Sequence, residues 1–210
     1  PRVESMLPDT TVWRDTLVLN ENPATQFYFR HPGFNAYPVV GISYEQAIAF
    51  CNWRTHAANF VFYCKENNIE NREAHIRDSF PIKFYYRLPT KQEWEALASG
   101  KLNIDTHTYG YDSVYQKWRG KKYYKSFNCI YSGKPDSSRS FYTSEVKSFW
   151  PNTYSIYNTI GNVAEMVAEK GIAKGGSFAH TLEECRIINN QHYIKPERWL
   201  GFRCVAVLLK

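Results

Sequence analysis

Five cysteines and six histidines carry whatever metal or nucleophilic chemistry this 210-residue chain could perform. Cys51, Cys64, Cys129, Cys185 and Cys204 form no C-x-x-C pair and have no histidine at zinc-finger spacing, so a structural zinc finger is not expected. Their odd number leaves at least one cysteine free or paired with another chain. His31, His56, His75, His107, His180 and His192 build no H-E-x-x-H motif, and the chain holds neither G-x-S-x-G nor a P-loop. Zinc-protease, hydrolase and kinase readings therefore have no motif behind them. One segment, Gly175 to Cys185, brings a histidine and a cysteine within five positions. Cys185 reads either as a catalytic thiol or as a half-buried strand cysteine, and with no second soft ligand beside it the second reading is favoured. His180 reads as a metal ligand or general base, or as a loop histidine making ordinary hydrogen bonds, and the latter is the commoner case. The stretch from Asn158 to Glu165 is either a turn whose amide and carboxylate cap nearby backbone or a set of oxygen ligands for a hard cation.

The elements that would hold these residues can be read in part. Ser43-Tyr44-Glu45-Gln46 has the S-x-x-Q spacing of a capping box, and Ala47, Phe50, Cys51 and Arg54 follow at helical spacing, which turns Phe50 and Cys51 inward. Thr90-Lys91-Gln92-Glu93 is a second capping box and opens a helix through Trp94, Leu97 and Ala98. Strands are expected over Ile82 to Leu88, Ile172 to Phe178, Arg186 to Ile188 and Gly201 to Val207. Residues 1–37 read as an extended segment pinned by Tyr28 and Phe29, and the stretch from Ser99 to Pro151 as loops and short strands. No repeat, low-complexity tract or linker interrupts the chain, so residues 1–210 are taken as one domain of the α+β class.

Composition limits the partners. The net charge is +6, yet the basic residues are scattered, and the densest cluster, Lys121-Lys122-Tyr123-Tyr124-Lys125, reads as a solvated strand or loop rather than a nucleic-acid site. No apolar run reaches the roughly 18 residues of a membrane helix. The chain begins at Pro1 rather than at a start Met, so an upstream signal or lipid anchor is expected to precede it, and contact with a membrane only through that anchor.

Five blocks carry a family resemblance. Pro38 to Ser43 leading into Ala49-Phe50-Cys51-Asn52-Trp53, Arg87-Leu88-Pro89-Thr90 with Glu93-Trp94-Glu95, Gly161-Asn162-Val163-Ala164-Glu165, Lys174-Gly175-Gly176-Ser177-Phe178, and Trp199-Leu200-Gly201-Phe202-Arg203-Cys204 resemble, in order, the signatures of the formylglycine-generating enzyme (sulfatase-modifying factor) family. The resemblance implies a C-type-lectin-like scaffold with a small twisted antiparallel sheet, two helices and long ordered loops. It also implies a calcium ion held by Asn158, Gly161, Val163 and Glu165, and a disulfide between Cys51 and Cys204. The family's aerobic oxidase binds copper through two cysteines after Gly-Gly-Ser; here His180 stands at the first position and only Cys185 matches the second. An imidazole and a thiolate make a different and weaker copper(I) pair, so copper and the oxidase reaction are not expected. A second bridge found in some members is absent as well, its places being held by Ala98 and Asn190.

The N-terminal part, Leu7-Pro8-Asp9-Thr10-Thr11-Val12-Trp13-Arg14-Asp15 and the segments up to Gly41, is similar to gliding-motility and type IX secretion lipoproteins of the Bacteroidota, of the GldJ and GldK kind. That likeness implies a periplasmic or outer-membrane location, other subunits of an envelope assembly as partners, and a structural rather than catalytic role. The alternative is a copper-dependent oxidase or related enzyme acting through Cys185, and a third reading is ligand recognition through the aromatic loops.

Overall fold

Ser43 and Thr90 each close a capping box, and the two helices they open frame the rest of the chain in the computed structural model, which describes residues 7–14, 26–70, 79–118, 121–124, 127–131 and 142–209. Helix α1 runs Tyr44–Glu66 and helix α2 runs Lys91–Ser99. In both boxes the cap hydroxyl accepts from the N3 amide while the N3 side chain accepts from the cap amide, so two otherwise orphaned donors are satisfied at each start.

Helix α1 is longer than its apolar spacing alone predicts, because its inward face becomes polar after the first turns. Cys51, Thr55 and Asn59 are all buried. Thr55 and Asn59 pack against strand β1, Phe84–Arg87, and hydrogen-bond to its backbone. Thr55 Oγ1 accepts from the Tyr86 amide at 2.8 Å, and Asn59 Oδ1 accepts from the Lys83 amide at 2.8 Å while its Nδ2 donates to the Phe84 carbonyl at 2.7 Å. The helix thus covers a strand edge that would otherwise bury unpaired backbone groups.

The remaining strands are β2, Tyr115–Trp118; β3, Lys121–Tyr124; β4, Ala164–Met166; β5, Ile172–Lys174; β6, Gln191–His192; β7, Leu200–Phe202; and β8, Val205–Leu208. They form a four-stranded sheet in the order β6-β5-β4-β7 and two antiparallel pairs, β1 with β8 and β2 with β3. Strand β4 is fully buried at the centre, antiparallel to β5 and parallel to β7. The α+β expectation therefore holds, with one parallel pairing in an otherwise antiparallel set. The core falls into several clusters. One, with Ala47, Cys51, Leu88, Met166 and Leu200, lies between α1 and the sheet; another, with Trp13, Tyr28, Val40, Val163 and Phe178, docks the N-terminal segment. Tyr28 anchors that segment as expected, its hydroxyl donating to the Pro38 carbonyl and sharing a hydrogen bond with Thr143.

The strand expected over Ile172 to Phe178 ends at Lys174, where Gly175 and Gly176 turn the chain at positive φ, and two further strand expectations fail. Arg186 to Ile188 is not a strand: Cys185 N–H bonds back to the Thr181 and Leu182 carbonyls and Asn189 N–H to Arg186, so the segment coils into turns and presents Ile187 alone to the core. The strand expected over Gly201 to Val207 breaks at Arg203-Cys204 into β7 and β8, which belong to different sheets. The reason is Arg203, whose side chain is drawn inward at this point. Among the described residues, no helix is long and apolar enough to cross a membrane.

The Thr90 cap yields a pH-dependent prediction. Glu93 accepts from both Arg87 guanidinium nitrogens, at 2.6 and 2.7 Å, and from the Thr90 amide, and these bonds hold its carboxyl down to about 2. A depressed carboxylate contributes stability above its unfolded pKa and loses it as pH falls towards the folded value. The pair is exposed, so its worth is modest. Glu93→Gln is expected to cost about 1 kcal/mol at pH 7, with the difference from wild type shrinking between pH 4.5 and 2. Urea melts across that range measure it, and a difference that grows on acidification would contradict the assignment.

Candidate functional site

The signature residues converge on one carboxylate. Glu165 leaves the middle of β4 and is almost fully buried. Its Oε2 accepts from the Trp94 indole N–H at 2.7 Å and from Arg203 Nε at 2.9 Å, and its Oε1 accepts from Arg203 Nη2 at 2.7 Å. Arg203 also donates to the Tyr157 carbonyl at 2.9 Å. Nearness to Glu165 raises the Arg203 pKa against the opposing cost of its own burial. A second buried ion pair lies alongside, Lys174 Nζ to Glu95 at 2.7 Å and to Asn190 Oδ1 at 3.2 Å. Burial lowers the Lys174 pKa, and Glu95 opposes that shift. Asn190, one of the two places where a family bridge is missing, is thus a hydrogen-bond acceptor, while Ala98, the other, is a fully buried core residue.

The loop before β4 is ordered by asparagines in the left-handed region, Asn158 at φ 54° and Asn162 at φ 65°. Asn and Asp tolerate that conformation better than other residues with a Cβ. Asn162 exchanges hydrogen bonds with the Ser144 backbone, and Asn158 Nδ2 donates to the Glu145 and Val146 carbonyls. The donors expected to hold calcium fit that ion in part. Asn158 Oδ1 is buried without a hydrogen-bond partner. Glu165 has spent three of its roughly four acceptor directions on Arg203 and Trp94, which leaves one on Oε1. It is therefore not the free anionic ligand that the sequence implied, because Arg203 already balances its charge.

Cys185 and His180 are held by different partners. Cys185 is fully buried in an apolar cluster with Tyr111, Phe127, Cys129, Ile160 and Leu182. Hydrogen bonding to Cys129, together with burial, raises its thiol pKa well above the ordinary value. His180 shares a 2.7 Å hydrogen bond with Ser177 through Nδ1, and its ring meets Trp199 edge-on at 5.0 Å. Burial lowers its pKa. With Glu184, Asn189, Asn190, Gln191 and His192 it lines a polar cleft in which Cys185 takes no part. A histidine and a buried protonated thiol held this way do not fit the family's pair of soft thiolate ligands for copper.

The other predicted cysteines do meet. Cys51 on α1 and Cys204 after β7 lie side by side as thiols, Cys51 hydrogen-bonded to the Cys204 sulfur. That bond, with the charges of Arg54 and Arg203, draws the Cys204 thiol down, while the same bond and burial push Cys51 up against Arg54. Sequence reasoning missed two features. Arg203 and Trp94 as the partners of Glu165 stood in the signature blocks, and for Arg203 the opposite charge was the one available signal. The approach of Cys129 to Cys185 had no signal in the sequence, because it depends on loop geometry.

The chain belongs to the sulfatase-modifying factor enzyme 1-like domain family, which matches residues 13–208. Three solved structures share its fold. Treponema denticola variable protein 1 is 21% identical with a TM-score of 0.51, covering 84% of this chain and 73% of its own. CarF is 19% identical with a TM-score of 0.53, covering 86% and 70%. PvdO from Pseudomonas aeruginosa is 20% identical with a TM-score of 0.50, covering 83% and 63%. No curated protein matches the chain.

The Glu165 hub sets a mutational expectation. Arg203→Met leaves a buried carboxylate without its counter-charge and is expected to destabilise the fold by about 3–5 kcal/mol, whereas Arg203→Met combined with Glu165→Gln should recover part of the loss. Denaturant unfolding of both variants and of Glu165→Gln alone measures the coupling. Strictly additive costs would show that the pair does not act as a unit.

Proposed function

We propose that this domain is a non-catalytic structural and interaction module of an envelope assembly, located in the periplasm or at the outer membrane and bound to other protein subunits. The observation that carries the reading is the state of Cys185: it is sealed in an apolar cluster, its thiol is held protonated by Cys129 and burial, and His180 occupies the place of the first thiol. The thiolate is the nucleophile and soft-metal ligand, and at this position it is suppressed. Apolar side chains stand on the surface where a partner could cover them, among them Trp53 at 62% and Ile194 at 99% exposure. The likeness of the N-terminal part to gliding-motility and type IX secretion lipoproteins supports the envelope location, with any membrane contact made through a lipid anchor upstream of Pro1.

Incubation with a sulfatase-type cysteine peptide, copper and oxygen is expected to give no aldehyde above that of a Cys185→Ala control. Turnover that depends on Cys185 would replace this reading with the oxidase one. Site-specific photo-crosslinking from positions 53 and 194 in cells of the native host tests the positive claim. Adducts to envelope proteins are expected, and a chain that stays uncrosslinked in the cytoplasm would overturn it.

Calcium remains part of this reading as a structural ion at Asn158, Gly161, Val163 and Glu165. Its support is the buried, unpartnered Asn158 Oδ1 together with the remaining acceptor direction of Glu165. An ion bound only by the native loop stabilises it by about 2.7 kcal/mol at a free concentration of 100 times Kd. Chelation is expected to lower the Tm by several degrees in wild type and to leave Asn158→Ala unchanged, a substitution that spares the Glu165 ion pair. A wild-type melt indifferent to chelator, with no calcium by elemental analysis, would remove the ion from the account.

A further inference from the structure

Two segments far apart in sequence meet through a short parallel bridge. Ile130 pairs with Thr181: Ile130 N–H donates to the His180 carbonyl at 2.7 Å, and Leu182 N–H donates to the Ile130 carbonyl at 2.8 Å. A single turn then folds the chain back, Cys185 N–H reaching the Thr181 carbonyl at 3.2 Å. This turn sets Cys185 against Cys129, the neighbour of Ile130, and both are buried in one cluster. Gly176, at φ +63°, makes the approach possible, since a Cβ there would overlap the Cys185 sulfur. On the other side Gly161 lies against the Cys129 Cβ, and a side chain there would meet the Asn128 carbonyl. The two cysteines thus sit in a closely walled, buried space.

We infer that Cys129 and Cys185 form a disulfide that staples the 127–131 loop to the 177–187 turns. Pairing is specific by position. Cys51 and Cys204 meet each other in the cluster under α1, and Cys64, buried near the end of that helix, is the odd cysteine left over. The bridge arises by thiol–disulfide exchange with a small-molecule disulfide or a thiol oxidoreductase in its disulfide form. The two cysteine thiols lose two protons, their sulfurs join, and the incoming disulfide leaves as two thiols. Both sulfurs are buried in the finished fold, so exchange takes place while the loops are still assembling, and the bonded pair is then shielded from reductant. A protonated, desolvated Cys185 thiol is slow to attack once buried, in keeping with that order.

The test is refolding of the reduced full chain in a buffer of reduced and oxidised glutathione, followed by denaturation, alkylation without reductant, and non-reducing peptide mapping. A peptide linked through Cys129 and Cys185 is expected, with Cys64 alkylated. Recovery of Cys129 and Cys185 both alkylated, in folded protein whose Cys51 and Cys204 are joined, would overturn the inference. A second arm uses Cys51→Ala/Cys64→Ala/Cys204→Ala, which keeps only the proposed pair. This variant is expected to weigh about 2 Da less after oxidation and to lose several degrees of Tm on reduction. Equal masses and equal melts would overturn the inference as well. The inference concerns the same sulfur as the proposed function, and a bridge, like a protonated thiol, leaves no thiolate at Cys185. Failure of the bridge leaves Cys185 a buried thiol, whereas Cys185-dependent aldehyde formation would strike at that function itself.

Discussion

The buried carboxylate of Glu165 ties a helix, a strand corner and a loop to the central strand β4. Through Trp94 it fixes α2, through the Arg203 fork it fixes the corner between β7 and β8, and through Arg203 it reaches the Tyr157 carbonyl in the loop that precedes β4. A charge this deep is tolerated only when paired and hydrogen-bonded. Each of its partners must therefore be in place before the carboxylate can be buried at all. That requirement links helix placement, strand register and loop path, and it explains why β7 and β8 separate at Arg203 instead of continuing as one strand. The Lys174–Glu95 pair repeats the arrangement one strand away, since Lys174 is the cross-strand partner of Glu165 on β5.

Polar side chains also build what elsewhere would be an apolar helix face. Thr55 and Asn59 bind the backbone at β1, so α1 is held by hydrogen bonds as much as by area. In the loops, Asn162 substitutes for backbone partners of the Ser144 segment, and Asn128 donates to the Tyr142 carbonyl. Long irregular segments survive burial only if their backbone groups are satisfied in this manner. Asparagine meets the need well, because one side chain supplies both a donor and an acceptor.

These features separate what the sequence discloses from what it conceals. Capping boxes are local: Ser43 with Gln46 and Thr90 with Glu93 announce their helices within four residues. The end of α1 was not readable from apolar spacing, because Thr55 and Asn59 interrupt the inward stripe for a reason that lies on another element. Strand β4 hides in a signature block that reads as a loop, being only three residues long and buried on both faces. Arg186-Ile187-Ile188 has β-branched residues and yet coils, since the bonds from Cys185 to Thr181 and Leu182 decide the local path. At the site, the resemblance located Glu165, Asn158, Cys185 and the Cys51–Cys204 neighbours. Charge neutralisation by Arg203 and the Cys129 contact are tertiary facts with no spacing to reveal them.

The two cysteine pairs show how far environment, rather than residue type, sets reactivity. Cys204 accepts a hydrogen bond from Cys51 and lies beside the guanidinium groups of Arg54 and Arg203, which together draw its thiol below the ordinary value against the cost of burial. Cys185 has no cation beside it, is fully buried, and is raised by its bond to Cys129. Thiolate fraction controls nucleophilicity, oxidation and soft-metal binding alike. The sulfur beside α1 and the β7–β8 corner is therefore shifted towards thiolate, and that of Cys185 away from it. The Nδ1 of His180 is engaged with Ser177 and its ring meets Trp199 edge-on, so His180 fixes the loop after Gly175-Gly176.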